Sequence, residues 1–120
     1  MIAILPAIVT QPQVHFLENF NIQLPDERGK LLLVEIYKKE KMKTGDLLEF
    51  LYQQGVEGFE DNPSKLSRSE KITLLMRLNK GITGKLENAG YITKEKRRRE
   101  NLYHITESGK YVACVSGLLG

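Results

Sequence analysis

Two short runs rich in β-forming residues, Tyr91–Glu95 and Asn101–Ile105, enclose the charged stretch Lys96–Glu100. Two such runs a few residues apart predict a β-hairpin. The segment before it ends at Asn88-Ala89-Gly90, where Gly90 suits the left-handed position just past a helix. The segment after it opens with Thr106-Glu107, a hydroxyl N-cap followed by an acidic residue in the first turn. Tyr111, Val112, Val115 and Leu118 then recur as the buried stripe of a last helix. In the second β run Tyr103 and Ile105 alternate with Leu102, His104 and Thr106, which predicts one apolar and one partly wet face. Helix, hairpin, helix in that order confines the fold to a mainly α chain with a small β element.

Upstream, Pro25-Asp26-Glu27 opens a helix expected to run from about Asp26 to Lys41, with acidic residues in its first turn and Lys38, Lys39 and Lys41 at its end. Leu31, Leu32, Val34, Ile36 and Tyr37 supply its apolar face. Thr44 is a candidate N-cap for a second helix over about 45–54, in which Leu47, Leu48, Leu51 and Tyr52 recur at helical spacing and Gly55 marks the end. From Gly55 to Lys65 breakers destroy both periods, which predicts a loop. Ser67 or Ser69 caps a third segment with Ile72, Leu75, Leu78 or Asn79, Ile82 and Leu86 as its apolar side. Gly81 and Gly84 each cost a helix about 1 kcal/mol relative to alanine. The segment is therefore one helix of about 20 residues or two short ones meeting near Asn79-Lys80-Gly81.

Charge is divided along the chain. Residues 1–65 hold 7 Lys and Arg against 10 Asp and Glu, whereas residues 66–110 hold 11 against 5. The net charge of +3 thus conceals a basic second half. Lys94, Lys96, Arg97, Arg98 and Arg99 set five positive charges in six residues at the hairpin tip. Phosphate attraction is the simplest use for such a cluster.

At 120 residues one domain is expected: an N-terminal extension over 1–24 that completes the core or dimerises, a main domain over 25–112, and the C-terminal end of the last helix with an apolar tail over 113–120. Hydrophobic residues at 41% and charged residues at 28% predict a soluble globular chain. The apolar run Met1–Val9 lacks a basic leader, contains Pro6 and is far shorter than the roughly 20 residues of a spanning helix, so no membrane association is expected and the cytoplasm is the natural compartment. Cys114, the only cysteine, is read as a small core hydrophobe. His15 and His104 do not form a ligand set, and His104 is expected to be satisfied or half-exposed within its strand. No nucleophile elbow, phosphate-binding glycine loop or metal-spaced cluster is present. The chain is read as a binding protein that is not an enzyme and uses no cofactor or metal.

Three helices followed by a hairpin is the layout of a winged helix-turn-helix, in which the last helix enters the major groove and the hairpin reaches the adjacent backbone. The residues Lys85-Leu86-Glu87-Asn88-Ala89-Gly90-Tyr91-Ile92, the basic hairpin, and Tyr103-His104-Ile105-Thr106-Glu107-Ser108-Gly109-Lys110 together resemble winged-helix regulators of the MarR and PadR kind. In those proteins a leucine, acidic, x, x, glycine pattern closes the recognition helix, and an aliphatic, Thr, Glu, x, Gly pattern starts the helix after the wing. About a dozen residues separate Gly55 from Ser67, where such regulators use a few. The resemblance implies a DNA-binding transcriptional regulator acting as a homodimer on double-stranded DNA; a winged-helix module that binds protein within a larger assembly is the alternative. Candidate DNA contacts on the wing are Lys94, Lys96, Arg97, Arg98 and Arg99. On the recognition segment they are Arg68, Lys71, Thr73, Arg77, Lys80, Thr83 and Lys85, with Arg77, Lys80 and Thr83 favoured, and Gly84 is read as allowing close approach to a phosphate.

Overall fold

The computed structural model describes residues 24–119. The expected roles of the N-terminal extension and the environments of His15 and of the Leu118 side chain lie outside what is described. The architecture is α+β: helix α1 (Glu27–Lys39), strand β1 (Lys41–Lys43), helix α2 (Thr44–Gln53), a single 3-10 turn (Pro63–Lys65), helix α3 (Arg68–Leu78), a π-helical segment (Asn79–Thr83), helix α4 (Gly84–Asn88), strands β2 (Ile92–Lys96) and β3 (Asn101–Ile105), and helix α5 (Glu107–Leu119). The three strands form one antiparallel sheet in the order β1-β3-β2.

α1 is capped by Asp26, whose carboxylate accepts from Gly29 N at 2.9 Å. It stops two residues earlier than its sequence predicts because Glu40 takes φ +70°, a conformation few residues without glycine's freedom adopt. Lys41–Lys43 then pair with β3 in the register Lys41–His104, Met42–Tyr103 and Lys43–Leu102. A third strand thus lies where the end of the first helix and a short link were expected. The apolar face of α1 is Leu32, Leu33 and Ile36, all fully buried, whereas Leu31 and Tyr37, expected on it, are exposed.

Thr44 is the first residue of α2 rather than its cap, which is Lys43 with no side-chain bond. Its hydroxyl instead donates to Asn101 O and accepts from Asn101 N, both at 3.2 Å. That exchange ties α2 to the start of β3. The predicted loop after Gly55 is pinned by buried Val56, Phe59 and Pro63, so its length does not leave it loose. Arg77 Nη1 donates to Gly58 O at 2.6 Å and Arg28 Nη1 to Glu57 O at 3.4 Å.

Ser67 caps α3 in a capping box with Glu70. The run from Arg68 to Asn88 is continuous helix through the π segment, so the choice between one helix and two resolves to one. Its buried row is Leu74, Leu78, Ile82 and Leu86. Four residues overshoot a 3.6-residue turn, so such a row drifts by about 40° per step. The wider π turn absorbs the drift and keeps both ends of the helix on one core. Gly84 makes the turn possible: its N–H donates to Asn79 O, and a Cβ there would fall on that same carbonyl oxygen. The close approach that this glycine allows within the structure is to its own helix. Ile72 and Leu75, expected inside, are respectively half-exposed and only partly buried.

β3 is the central strand, paired along both edges. Tyr103 and Ile105 pack into the core while His104 on the other face stays partly exposed, as the alternation predicts, although Leu102 on that face is also buried. Tyr103 joins the core beside Tyr91 and Ile92, and burial pushes the Tyr91 phenol above its ordinary pKa. α5 buries Val112, Ala113, Val115 and Ser116, while Tyr111 and Cys114 are exposed. The expected core places of those two residues are one step off the stripe that faces α1.

Candidate nucleic-acid interface

α3 and the β2–β3 hairpin flank an open cleft of about 440 Å³. The capping box fixes where α3 begins. Glu70 N donates to Ser67 Oγ at 3.3 Å and Ser67 N donates back to Glu70 Oε1 at 2.9 Å. These bonds hold the Glu70 carboxyl below its ordinary pKa, the backbone bond from Ser67 first. α3 therefore presents a defined outer face from its first turn. On that face Ile72 is 50% and Met76 66% exposed, one turn apart, and both line the cleft with Leu75 and Asn79.

The opposite wall is the wing. Lys94, Arg97, Arg98 and Arg99 line it, and Glu100 is its one carboxylate among the described residues. Glu100 Oε1 accepts from Gly45 N at 2.9 Å, where a negative charge also suits the N-terminus of α2. The cleft therefore carries four cations with its single acid already held. Behind the tip, Glu95 accepts from His104 Nε2 at 2.8 Å through one oxygen and meets Arg97 Nε at 2.8 Å through the other. The bond from His104, with Arg97 adding to it, holds the Glu95 carboxyl below its ordinary pKa. His104 is half-exposed and satisfied, as its strand position predicts.

The predicted contacts divide sharply. On the wing, Arg97 is engaged by Glu95 and Lys94 lies 4.0 Å from Glu87. Lys96, Arg98 and Arg99 are exposed and make no side-chain hydrogen bond or ion pair among the described residues. On the helix, Arg68, Lys71, Lys80 and Lys85 are exposed, but Lys85 lines a different cleft between α4 and the start of α1. Thr73 is exposed with its hydroxyl donating to Ser69 O at 3.1 Å. Two of the three favoured residues are committed elsewhere. Arg77 clamps the α2–α3 loop, and Thr83 is fully buried with its hydroxyl turned to Leu78 O at 3.5 Å.

Sequence reasoning did not single out Ile72, Met76, Asn79 or Glu100 as part of this surface. Ile72 and Met76 belong to an apolar set with more members than one helix face can bury, and that surplus was the available signal. The holding of Glu100 depends on a contact 55 residues away, for which local pattern gives no sign.

The motif residues meet at the base of the wing. Thr106 Oγ1 donates to Gly90 O at 2.7 Å and accepts from Gly109 N at 2.9 Å, while Thr106 N donates to Tyr91 O at 3.1 Å. A Cβ on Gly109 would fall on that Tyr91 carbonyl oxygen. The two patterns that suggested a winged helix are thus the two halves of one backbone junction. No described helix is long and apolar enough to cross a membrane, and no described group of three or more His, Cys, Asp or Glu could hold a metal ion. Neither the curated proteins nor the solved structures contain a match to the chain. A family model, the DUF6293 C-terminal winged helix domain, matches residues 28–117. That match spans most of the chain, and the chain therefore belongs to the DUF6293 C-terminal winged-helix domain family.

Proposed function

We propose that this domain binds double-stranded DNA, with the outer face of α3 in the major groove and the wing on the neighbouring backbone. The observation that carries the reading is the trio Lys96, Arg98 and Arg99, exposed and without a side-chain partner among the described residues, two of them lining the cleft against an exposed helix face. Counterion release by each phosphate contact gives a slope of log affinity against log salt of about −0.9 per contact. Arg68, Lys71 and Lys80 add charge from the helix side. Acting as a homodimer in the cytoplasm, such a domain would regulate transcription from two-fold operators, the role that the MarR- and PadR-like motifs suggest.

The test is duplex binding across a salt series for the natural chain and for a Lys96→Ala, Arg98→Ala, Arg99→Ala variant. The variant is expected to bind more weakly, with a slope shallower by about 2 to 3. No affinity at low salt, or an unchanged slope, rejects the proposal. Sedimentation at the same protein concentrations checks the dimer. A second reading, docking of a protein partner on α3, draws on the exposure of Ile72 and Met76; it predicts no duplex binding by either chain.

A further inference from the structure

Ile72 and Met76 stand on the outer face of α3 at 50% and 66% exposure, although the wing across the cleft is strongly basic. In the major groove the apolar feature of a base pair is the C5-methyl of thymine, and adenine offers a donor and acceptor pair that suits an asparagine amide. Ile72 and Met76 are the fifth and ninth of the eleven residues of α3, the helix whose outer face meets base edges in this fold. Asn79, exposed on the same wall of the cleft, has no side-chain hydrogen-bond partner among the described residues. Arg77, the residue of that stretch best suited to guanine, is held by Gly58 O.

We infer that this domain selects A·T pairs in the major groove by seating thymine methyl groups against Ile72 and Met76, an inference that rests on the duplex-binding reading above. The four cations lining the cleft favour a polyanion over an apolar protein surface as the occupant of this strip. The wing would supply affinity and the apolar pair would supply discrimination. Arginine readout of a narrow minor groove would instead leave selectivity independent of the methyl groups.

The experiment selects bound duplexes from a random pool and then replaces thymines of the enriched site by deoxyuridine, which removes only the C5-methyl. Affinity is expected to fall about fourfold for each seated methyl removed. An Ile72→Ala, Met76→Ala variant is expected to bind both duplexes alike while keeping its helix content, since both positions are exposed and alanine favours helix. Equal affinity of the natural chain for thymine and deoxyuridine duplexes overturns the inference and leaves duplex binding standing. Discrimination that persists in the double variant also overturns it. Failure to bind any duplex rejects both this inference and the reading beneath it.

Discussion

Replacing Gly109 by alanine tests the junction that sets the wing against the helices. Gly109 lies in the first turn of α5, and its added Cβ would overlap Tyr91 O and lie 2.9 Å from Ile105 Cγ1. Neither neighbour yields easily. Tyr91 O accepts from Thr106 N, and Ile105 ends the central strand of the sheet. Forcing a methyl into packed structure costs about 1–3 kcal/mol, and losing the Thr106–Tyr91 bond adds about 0.5–1.5 kcal/mol. Alanine's better helix propensity returns up to about 1 kcal/mol. The net expectation is a destabilisation of about 2 kcal/mol, or roughly 10 °C in Tm for a domain of this size, measured by urea and thermal unfolding. Gly117 supplies the control on the same helix, because a Cβ added there would meet nothing within 4 Å; Gly117→Ala should be neutral or slightly stabilising. A Gly109→Ala chain as stable as the natural one, or more stable, would refute the packing argument, since propensity alone predicts that sign.

Ser67→Ala removes one side of the capping box and should cost about 1 kcal/mol in urea unfolding, with amide exchange rising first at the start of α3. Thr44→Val leaves both Asn101 backbone groups without the hydroxyl they share; a loss of about 1–3 kcal/mol is expected, read as reduced stability and faster exchange at Asn101. The depressed pKa of Glu95 sets a pH dependence. Its contribution is fully present above the ordinary carboxylate value of 4.5 and is lost as pH falls through the lowered value in the folded chain. Thermal scans of Glu95→Gln against the natural chain should therefore differ near neutrality and converge at the acid end, and a difference that stays constant through that range would contradict the assignment.

The parts of the fold legible in sequence were those fixed by local chemistry. Gly90 adopts φ +83° just past the helix, Ser67 caps α3, Thr106 caps α5, and the cation-rich turn joins β2 to β3. Each depends on residues within a few positions of one another. What was missed depends on distant partners. β1 carries only Lys-Met-Lys and is a strand because β3 offers it an edge, so its propensity gave no warning. The α3 face was read correctly at Leu78, Ile82 and Leu86 but not before them, because the apolar set 72, 75, 78 or 79, 82 and 86 fits a plain α-helix better than the observed row 74, 78, 82 and 86 does. Only the π turn reconciles the second row with one core, and that turn rests on a glycine whose constraint is a carbonyl five residues back.

The same distinction governs how the candidate site should be judged. The residues that carried the family resemblance, Gly90, Tyr91, Thr106 and Gly109, are bonded to or packed on one another at the wing base. They set the angle at which the hairpin leaves the core and need touch nothing outside the chain. Recognising them therefore identifies a winged helix without identifying what the wing meets. Evidence about the partner resides in side chains that the fold does not use. Arg77 and Thr83 fail that criterion because the loop clamp and the helix interior already account for them. Lys96, Arg98, Arg99, Ile72 and Met76 satisfy it: burial does not explain them, and among the described residues no hydrogen bond or ion pair does. Substitutions at those five should change binding while leaving stability nearly intact, and substitutions at the junction should do the reverse.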